Sequence, residues 1–303
     1  MKILFWFLIF PGFVFSSLIG LFLSWIDRKV TARIQWRVGP PWYQPYADFC
    51  KLLLKETLVP EGVSKVLFLF APILGIIATT SIAVMLFVMN FYPTQSFLGD
   101  LIVLIYLLTL PPLGTIIGAS ASRNPLSAVG ASREMTLYFG YELPFLAAIL
   151  IAIIKTNGQI RIGEIVMYQQ MHGPLLYSIS GIIAAIVILI CSQAKLGYVP
   201  FDIAEAEQEL MAGVYTEYSG FGLALFKLTK SMLLLLLPCL IITLFWGGLA
   251  SFWSIPKFLL LLVLIILMKN TNPRLRIDQA LKFFWLGLMP IAIIGIILAF
   301  SNL

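Results

Sequence analysis

The chain has 303 residues, 60% of them hydrophobic and 11% charged, with a formal net charge of +6. Soluble domains are about 45–50% apolar and about 25% charged, so this composition, with a mean hydropathy of +0.99, excludes an ordinary soluble enzyme domain. A span needs about 20 mostly apolar residues, and backbone polar groups inside a bilayer must be satisfied by helices or closed barrels. The apolar runs here are long rather than alternating, which predicts an all-α, polytopic integral membrane protein made of one membrane domain.

Eight spans are predicted, at about 3–26, 66–90, 98–120, 137–155, 175–195, 220–246, 255–269 and 281–300. The first is too long for a signal peptide and shows no small-residue cleavage site, so it reads as an uncleaved helix. The loop after it runs SWIDRKVTARIQWRVGPPWYQPYADFCKLLLKETLVPEG. Lys29, Arg33 and Arg37 recur at i, i+4 and i+8, and on a helix continuing from span one they form a basic stripe. The stripe suits anionic headgroups or an acidic protein surface. Gly39-Pro40-Pro41 breaks that helix, and Pro45 fits the first turn of the next. An amphipathic helix is predicted over about 45–57, with Tyr46, Phe49, Cys50, Leu53 and Leu54 on one face and Asp48, Lys51, Lys55 and Glu56 on the other.

Span four follows SASRNPLSAVGASREM, read as the second inner loop. Glu134, Tyr138 and Glu142 are spaced i, i+4 and i+8 and share a helix face, with Tyr141 beside it. Glu142 lies about a turn inside the apolar run, where an ionisable group costs about 2.5–3.5 kcal/mol on insertion scales. It reads either as a neutral acid bonded to a neighbouring helix or as part of a proton relay; the second acid and two phenols on the same face favour the relay. His172, the one histidine, sits beside Gly173 and Pro174 and reads as a surface turn residue. Cys50, Cys191 and Cys239 form no C-x-x-C pair, which argues against a metal cluster held by this chain.

The third inner loop contains YVPFDIAEAEQELMAG, in which Asp202, Glu205, Glu207 and Glu209 stand with no Lys or Arg among them. On a helix starting near Asp202, residues 202, 205 and 209 share a face and Glu207 points elsewhere; Glu217 and Tyr218 follow. Burial and mutual repulsion favour the protonated form of clustered carboxylates, which then exchange protons as a set. A solvated acidic loop is the alternative, against which stand the interleaved Phe201, Ile203, Leu210 and Met211. The last inner loop places Arg274, Arg276 and Asp278 just after Pro273, where the arginines can pair with the acidic stretch or simply hold that face.

Of the 20 Lys and Arg, all but Lys2, Lys155, Arg161 and Lys257 fall in or beside the loops after spans one, three, five and seven. The positive-inside rule puts those loops in the cytoplasm and both termini outside. Topology therefore accounts for the net charge, and no nucleic-acid partner is implied.

GYVPFDIAEAEQELMAGVYTEYSGF resembles the segment that marks the complex I membrane subunit called H in bacteria, NADH dehydrogenase subunit 1 in mitochondria. Further matches are Asp27-Arg28-Lys29, Gln44-Pro45-Tyr46-Ala47-Asp48 with Lys51, Lys55-Glu56, and Pro273-Arg274-Leu275-Arg276-Ile277-Asp278-Gln279. Only Pro41-Trp42-Tyr43 separate Gly39-Pro40 from Gln44-Pro45, a shorter loop than in quinone-reducing members. That loop, with ASRNP and GASREM, is similar to the membrane-anchor subunit of energy-converting membrane-bound [NiFe] hydrogenases and related sulfur-reducing complexes.

The resemblance implies eight spans and a prokaryotic cytoplasmic membrane. It implies a role in anchoring a peripheral arm and linking ferredoxin-dependent electron transfer, ending in proton reduction to H2, to proton or sodium translocation. Sulfur-, polysulfide- or quinone-reducing complexes and a passive scaffold are the alternatives. A hydrogenase-like large subunit and an iron–sulfur small subunit would dock on the inner loops beside antiporter-like membrane subunits. [4Fe-4S] clusters and a [NiFe] centre would belong to those partners, with no metal in this chain. Asp202, Glu205, Glu207, Glu217 and Glu142 correspond to the family's coupling carboxylates, and Glu209, Glu134, Tyr138 and Glu56 join them as candidates. Arg28, Lys29, Arg33, Arg37, Asp48, Arg123, Arg133, Arg274 and Arg276 are the candidate docking positions.

Overall fold

The computed structural model describes residues 2–205 and 211–301; Glu207 and Glu209 lie outside the described residues. The helices are α1 (Lys2–Leu8), α2 (Phe13–Ile34), α3 (Gln44–Leu54), α4 (Lys65–Phe91), α5 (Asp100–Ala121), α6 (Pro125–Lys155), α7 (Ile162–His172), α8 (Ile179–Lys195), α9 (Gly220–Phe245) and α10 (Ser254–Thr271). The last span runs as α11 (Ile277–Lys282), a π segment (Phe283–Leu288) and α12 (Met289–Phe300). Among the described residues seven helical stretches are long and apolar enough to cross a membrane, and α8 is a shorter apolar one; together they correspond to the eight predicted spans. Among the described residues there is no strand.

The centre of the bundle is α9, whose most apolar window is 89% buried. It packs against α2, α3, α4, α8 and α10, while α5 joins α4 to α6, and α6, α8 and α12 form the opposite flank. The loops rich in Lys and Arg gather at one end, called here the basic end.

Four expectations change. The predicted loop before span four is helical, because Asn124 caps α6 by accepting the Leu126 N–H at 2.8 Å and Pro125 takes the first position, where its missing N–H is no loss. Glu134, Tyr138 and Glu142 therefore do share one continuous helix. Secondly, α2 ends at Ile34 and Trp36 turns left-handed (φ 58°), so Arg37 leaves the basic stripe. The surface helix α3 stops at Leu54, and Lys55 is already extended. Finally, residues 201–205 are irregular, so the face expected for Asp202 and Glu205 on a helix does not exist.

Two family-like motifs are explained by packing. Pro72 lies inside α4 and has no N–H for the carbonyl of Phe68 four residues earlier. The Tyr218 hydroxyl donates to that carbonyl at 3.0 Å, and the Tyr218 ring stacks on Phe68 with centroids 4.1 Å apart. Gly220 has φ +54°, and a Cβ there would stand 2.6 Å from the Lys55 carbonyl oxygen. Beside it the Ser219 hydroxyl donates to the Glu56 carbonyl (3.3 Å) and accepts the Leu58 N–H (3.0 Å). The segment 55–58 is thus fastened to the start of α9.

Candidate functional site: an acidic cavity walled by ion pairs

At the basic end a cavity of about 50 Å3 is lined by α5, α6, α9 and residues of 195–205 and 214–215, with Glu134, Asp202, Glu205, Lys195 and Lys230 on its wall. A site needs at least roughly 10–15 Å3 to hold one water, so the space has room for several. The remaining lining is largely apolar, including Pro111, Pro112, Phe201, Val214, Phe226 and Leu233.

Each carboxylate but one is held by a cation from another element. Glu205 takes both oxygens to Lys230, at 2.7 and 2.9 Å. Asp202 receives Arg274 at 2.9 Å. Glu142 lies one layer deeper and meets Lys195 at 2.7 Å, with side chains 11% and 2% exposed, so Lys195 joins the cavity to the intramembrane acid. The ammonium of Lys195 also rests over the rings of Phe145 (4.4 Å) and Tyr141 (5.0 Å). Among the described residues Oε1 of Glu142 and the Tyr141 hydroxyl are buried with no hydrogen-bond partner, which leaves acceptor and donor capacity beside the pair. Glu134 is half-buried on the cavity wall.

Two walls of the cavity are shared with larger spaces. Glu205, Tyr215, Phe226 and Lys230 also line a cavity of about 490 Å3 that contains Asp27, Tyr198 and Lys269. Asp202 and Ile203 also line a recess of about 290 Å3 with Arg133, Arg274 and Arg276. Movement of either ion pair would therefore connect the inner cavity to a wider one.

Tyr215 and Tyr198 hold their protons firmly. Burial, and then the nearby Glu205, Glu134 and Asp202 carboxylates, push the Tyr215 phenol well above its ordinary value; burial followed by Asp27 and Glu205 does the same for Tyr198. Both are hydroxyl donors beside carboxylates rather than phenolates. The Tyr198 ring lies 4.4 Å from Lys269 and 5.2 Å from Lys230. Lys269 in turn pairs with the buried Asp27 at 2.7 Å. The consecutive Asp27, Arg28 and Lys29 thus face three elements: α10, α3 through Asp48 at 2.8 Å, and the Gly39 carbonyl at 3.3 Å.

Not every expected acid joins the cavity. Glu217 accepts from Asn124 at 2.5 Å and supports the cap of α6. Glu56 is exposed, and its backbone makes the contact with Ser219. Tyr138 is half-buried and meets Tyr141 edge-on at 5.9 Å. Among the docking candidates Arg28, Arg33, Arg37, Arg123, Arg274 and Arg276 are exposed, while Lys29, Asp48 and Arg133 are half-buried. Trp36 and Val38 beside them are 98% and 93% exposed. Residue-by-residue reading missed Lys195, Lys230, Lys269, Asp27 and Tyr198. The lysines served only as topology markers, though a lysine at the membrane end of a span, four residues after a cysteine within it, was a usable signal.

Buried Cys191 and Cys239 belong to different helices and Cys50 is exposed. Among the described residues no three His, Cys, Asp or Glu side chains converge as metal ligands.

Fold and site together define a helical membrane protein with a cation-clamped acidic cavity at one end. The chain belongs to the family described as NADH dehydrogenase, which matches residues 7–300. The H subunit of the NADH-quinone oxidoreductase of Dehalococcoides mccartyi is 32% identical over 303 residues, covering 95% of this chain and 83% of that protein. Its counterpart in Thermomicrobium roseum is 34% identical, with 94% and 92% covered. Among solved structures, a chain of the membrane-bound sulfane sulfur reductase, an archaeal respiratory membrane complex, superposes with a TM-score of 0.85. It is 32% identical, with 94% of this chain and 96% of that chain covered.

Proposed function

We propose that this chain anchors a peripheral electron-transfer arm to the cytoplasmic membrane and couples its redox chemistry to ion movement. The observation that carries the reading is the set of carboxylates clamped by Lys195, Lys230 and Arg274 around a cavity of water size. A clamped carboxylate answers to charge arriving nearby. Unit charges about 4 Å apart interact by roughly 4 kcal/mol at an effective dielectric near 20, enough to move a proton on or off such a group. The basic end faces the cytoplasm by the positive-inside rule, and its exposed arginines with Trp36 form the docking face.

The electrons come from ferredoxin through [4Fe-4S] clusters in the docked subunits. There a [NiFe]-type centre reduces protons, or a related centre reduces sulfane sulfur or polysulfide. The likeness to the sulfane sulfur reductase chain favours the sulfur acceptor as the second reading. Antiporter-like subunits in the membrane carry the ions onward.

Asp202→Asn in the assembled complex is the test. Arg274 is 41% exposed, and water can replace its partner, so the fold should persist. Electron transfer with an artificial acceptor should continue while ion uptake into vesicles falls to background. Full ion uptake per electron in that variant would leave only the scaffold role. Assays of the same complex with protons and with polysulfide identify the acceptor.

A further inference from the structure

The last span is fixed at both ends and slack in the middle. At its basic end Arg274 holds Asp202 at 2.9 Å, and the Leu275 N–H donates to the Pro200 carbonyl at 3.1 Å. The Gln279 side chain caps α11 by accepting the Arg276 N–H at 3.2 Å. The helix then passes α6 at Gly140, where a Cβ would stand 3.1 Å from Leu281. Further along, α12 is seated against α6 and α8 at Gly295, where a Cβ would lie 2.7 Å from Ile151 and 3.1 Å from Ile183. Between these two contacts the six residues Phe283–Leu288 wind as a π turn.

Local chemistry accounts for the position of that turn. Pro290 stands at the start of α12. It has no N–H and crowds the carbonyl of Leu286 four residues earlier, and a wider turn relieves the contact. Such turns are rare and concentrate at functional sites. Closing this one into α-helix would advance α11 by about 1.5 Å and rotate it by about 100° relative to α12. Trp285 and Leu286 are exposed on the outside of the bundle, so no packed neighbour opposes the movement there.

The side chains on the turn make the slack consequential. Phe284 is fully buried. Its ring lies 4.8 Å from that of Phe201, the residue before Asp202, and 6.3 Å from that of Tyr141, the residue before Glu142. One ring therefore touches both carboxylate layers, the Arg274–Asp202 pair at the cavity wall and the Lys195–Glu142 pair one layer deeper. Beside it the Tyr141 hydroxyl and Oε1 of Glu142 have no hydrogen-bond partner among the described residues.

We propose that the π turn is a movable joint between the two layers and that Phe284 is its positioning residue. When charge at the docked arm loosens Arg274 from Asp202, the turn closes and Phe284 withdraws from Tyr141. The Tyr141 hydroxyl then donates to Glu142 and weakens the hold of that carboxylate on Lys195. The inference rests on the coupling role proposed above and adds the part that moves.

Redox-difference infrared spectroscopy of the assembled complex in vesicles reads the two carboxyl groups separately, each assigned by its loss in Asp202→Asn or Glu142→Gln. In the wild type, reducing the arm should shift both signals. Pro290→Ala restores the missing N–H and lets the turn close for good, and deletion of Leu286 removes the extra residue outright. In both variants the Asp202 signal should still shift and the Glu142 signal should not. Electron transfer to an artificial acceptor should continue while ion uptake falls to background. Ile291→Ala, on the exposed side of α12, should match the wild type. A Glu142 shift of wild-type size in the deletion variant, or in Pro290→Ala if the deletion does not assemble, overturns the joint and leaves the turn as an accommodation of Pro290. An equal loss in Ile291→Ala overturns it too, as does a wild type in which Asp202 shifts and Glu142 does not. A wild type in which neither signal shifts overturns the coupling role itself, and the joint with it.

Discussion

Replacing Lys195 by Met removes one half of the deepest ion pair. Its ammonium lies 2.7 Å from Glu142 and both side chains are nearly excluded from solvent, so the change strands a buried carboxylate. Breaking such a pair costs about 3–5 kcal/mol, and the ring contacts to Tyr141 and Phe145 add up to about 2 kcal/mol. Glu142→Gln strands the ammonium in turn and should cost a similar amount. The double variant Glu142→Gln/Lys195→Met leaves no buried charge and should recover most of the loss, since buried pairs exchanged for apolar groups are often neutral in stability. Unfolding midpoints of the purified complex measure the cycle, and proton or sodium uptake into vesicles measures function on the same samples. Restored stability with no ion uptake supports a working pair. If the double variant is as unstable as the two single losses added, the residues are not coupled; if it is stable and pumps normally, the pair is structural.

Tyr218→Phe should cost about 1–3 kcal/mol, the penalty for leaving the Phe68 carbonyl unsatisfied, and the cost should shrink in a Pro72→Ala background, where the helix supplies its own N–H. Thermal unfolding of the four variants checks this, and an unchanged cost in that background refutes it. Burial alone would raise the Asp48 carboxyl, but hydrogen bonds from Arg28 and Gln44 and the charges of Arg28 and Lys227 outweigh it and hold the group below its ordinary 3.8. With the folded value depressed, this contribution is complete above about pH 3.8 and is lost as pH falls through the lower folded value. Hydrogen exchange in α3 should therefore rise on that acid limb in the wild type and be insensitive there in Asp48→Asn; identical profiles would contradict the assignment.

The spans and the surface helix α3 were legible because apolar length and a Pro-opened amphipathic pattern are local signals. The start of α6 was misread because charged Arg133 and Glu134 look like a loop, whereas the Asn124–Pro125 cap starts the helix before them. At the site, the acids were legible as an unusual cluster, but their arrangement was not. Asp202 and Glu205 are gathered by Arg274 and Lys230 from distant spans, and no helical spacing within 202–209 could reveal that. Lys195 was hidden for a related reason: its partner is 53 residues away on another helix.

The strap at 55–58 gives the molecule a mechanical property. It leads out of the surface helix and is pinned to Ser219 and Gly220, the first turn of the helix that carries Lys230. A tug on the amphipathic segment, from a bound neighbour or from a thinning leaflet, is delivered straight to the axle of the bundle rather than dissipated in a slack linker.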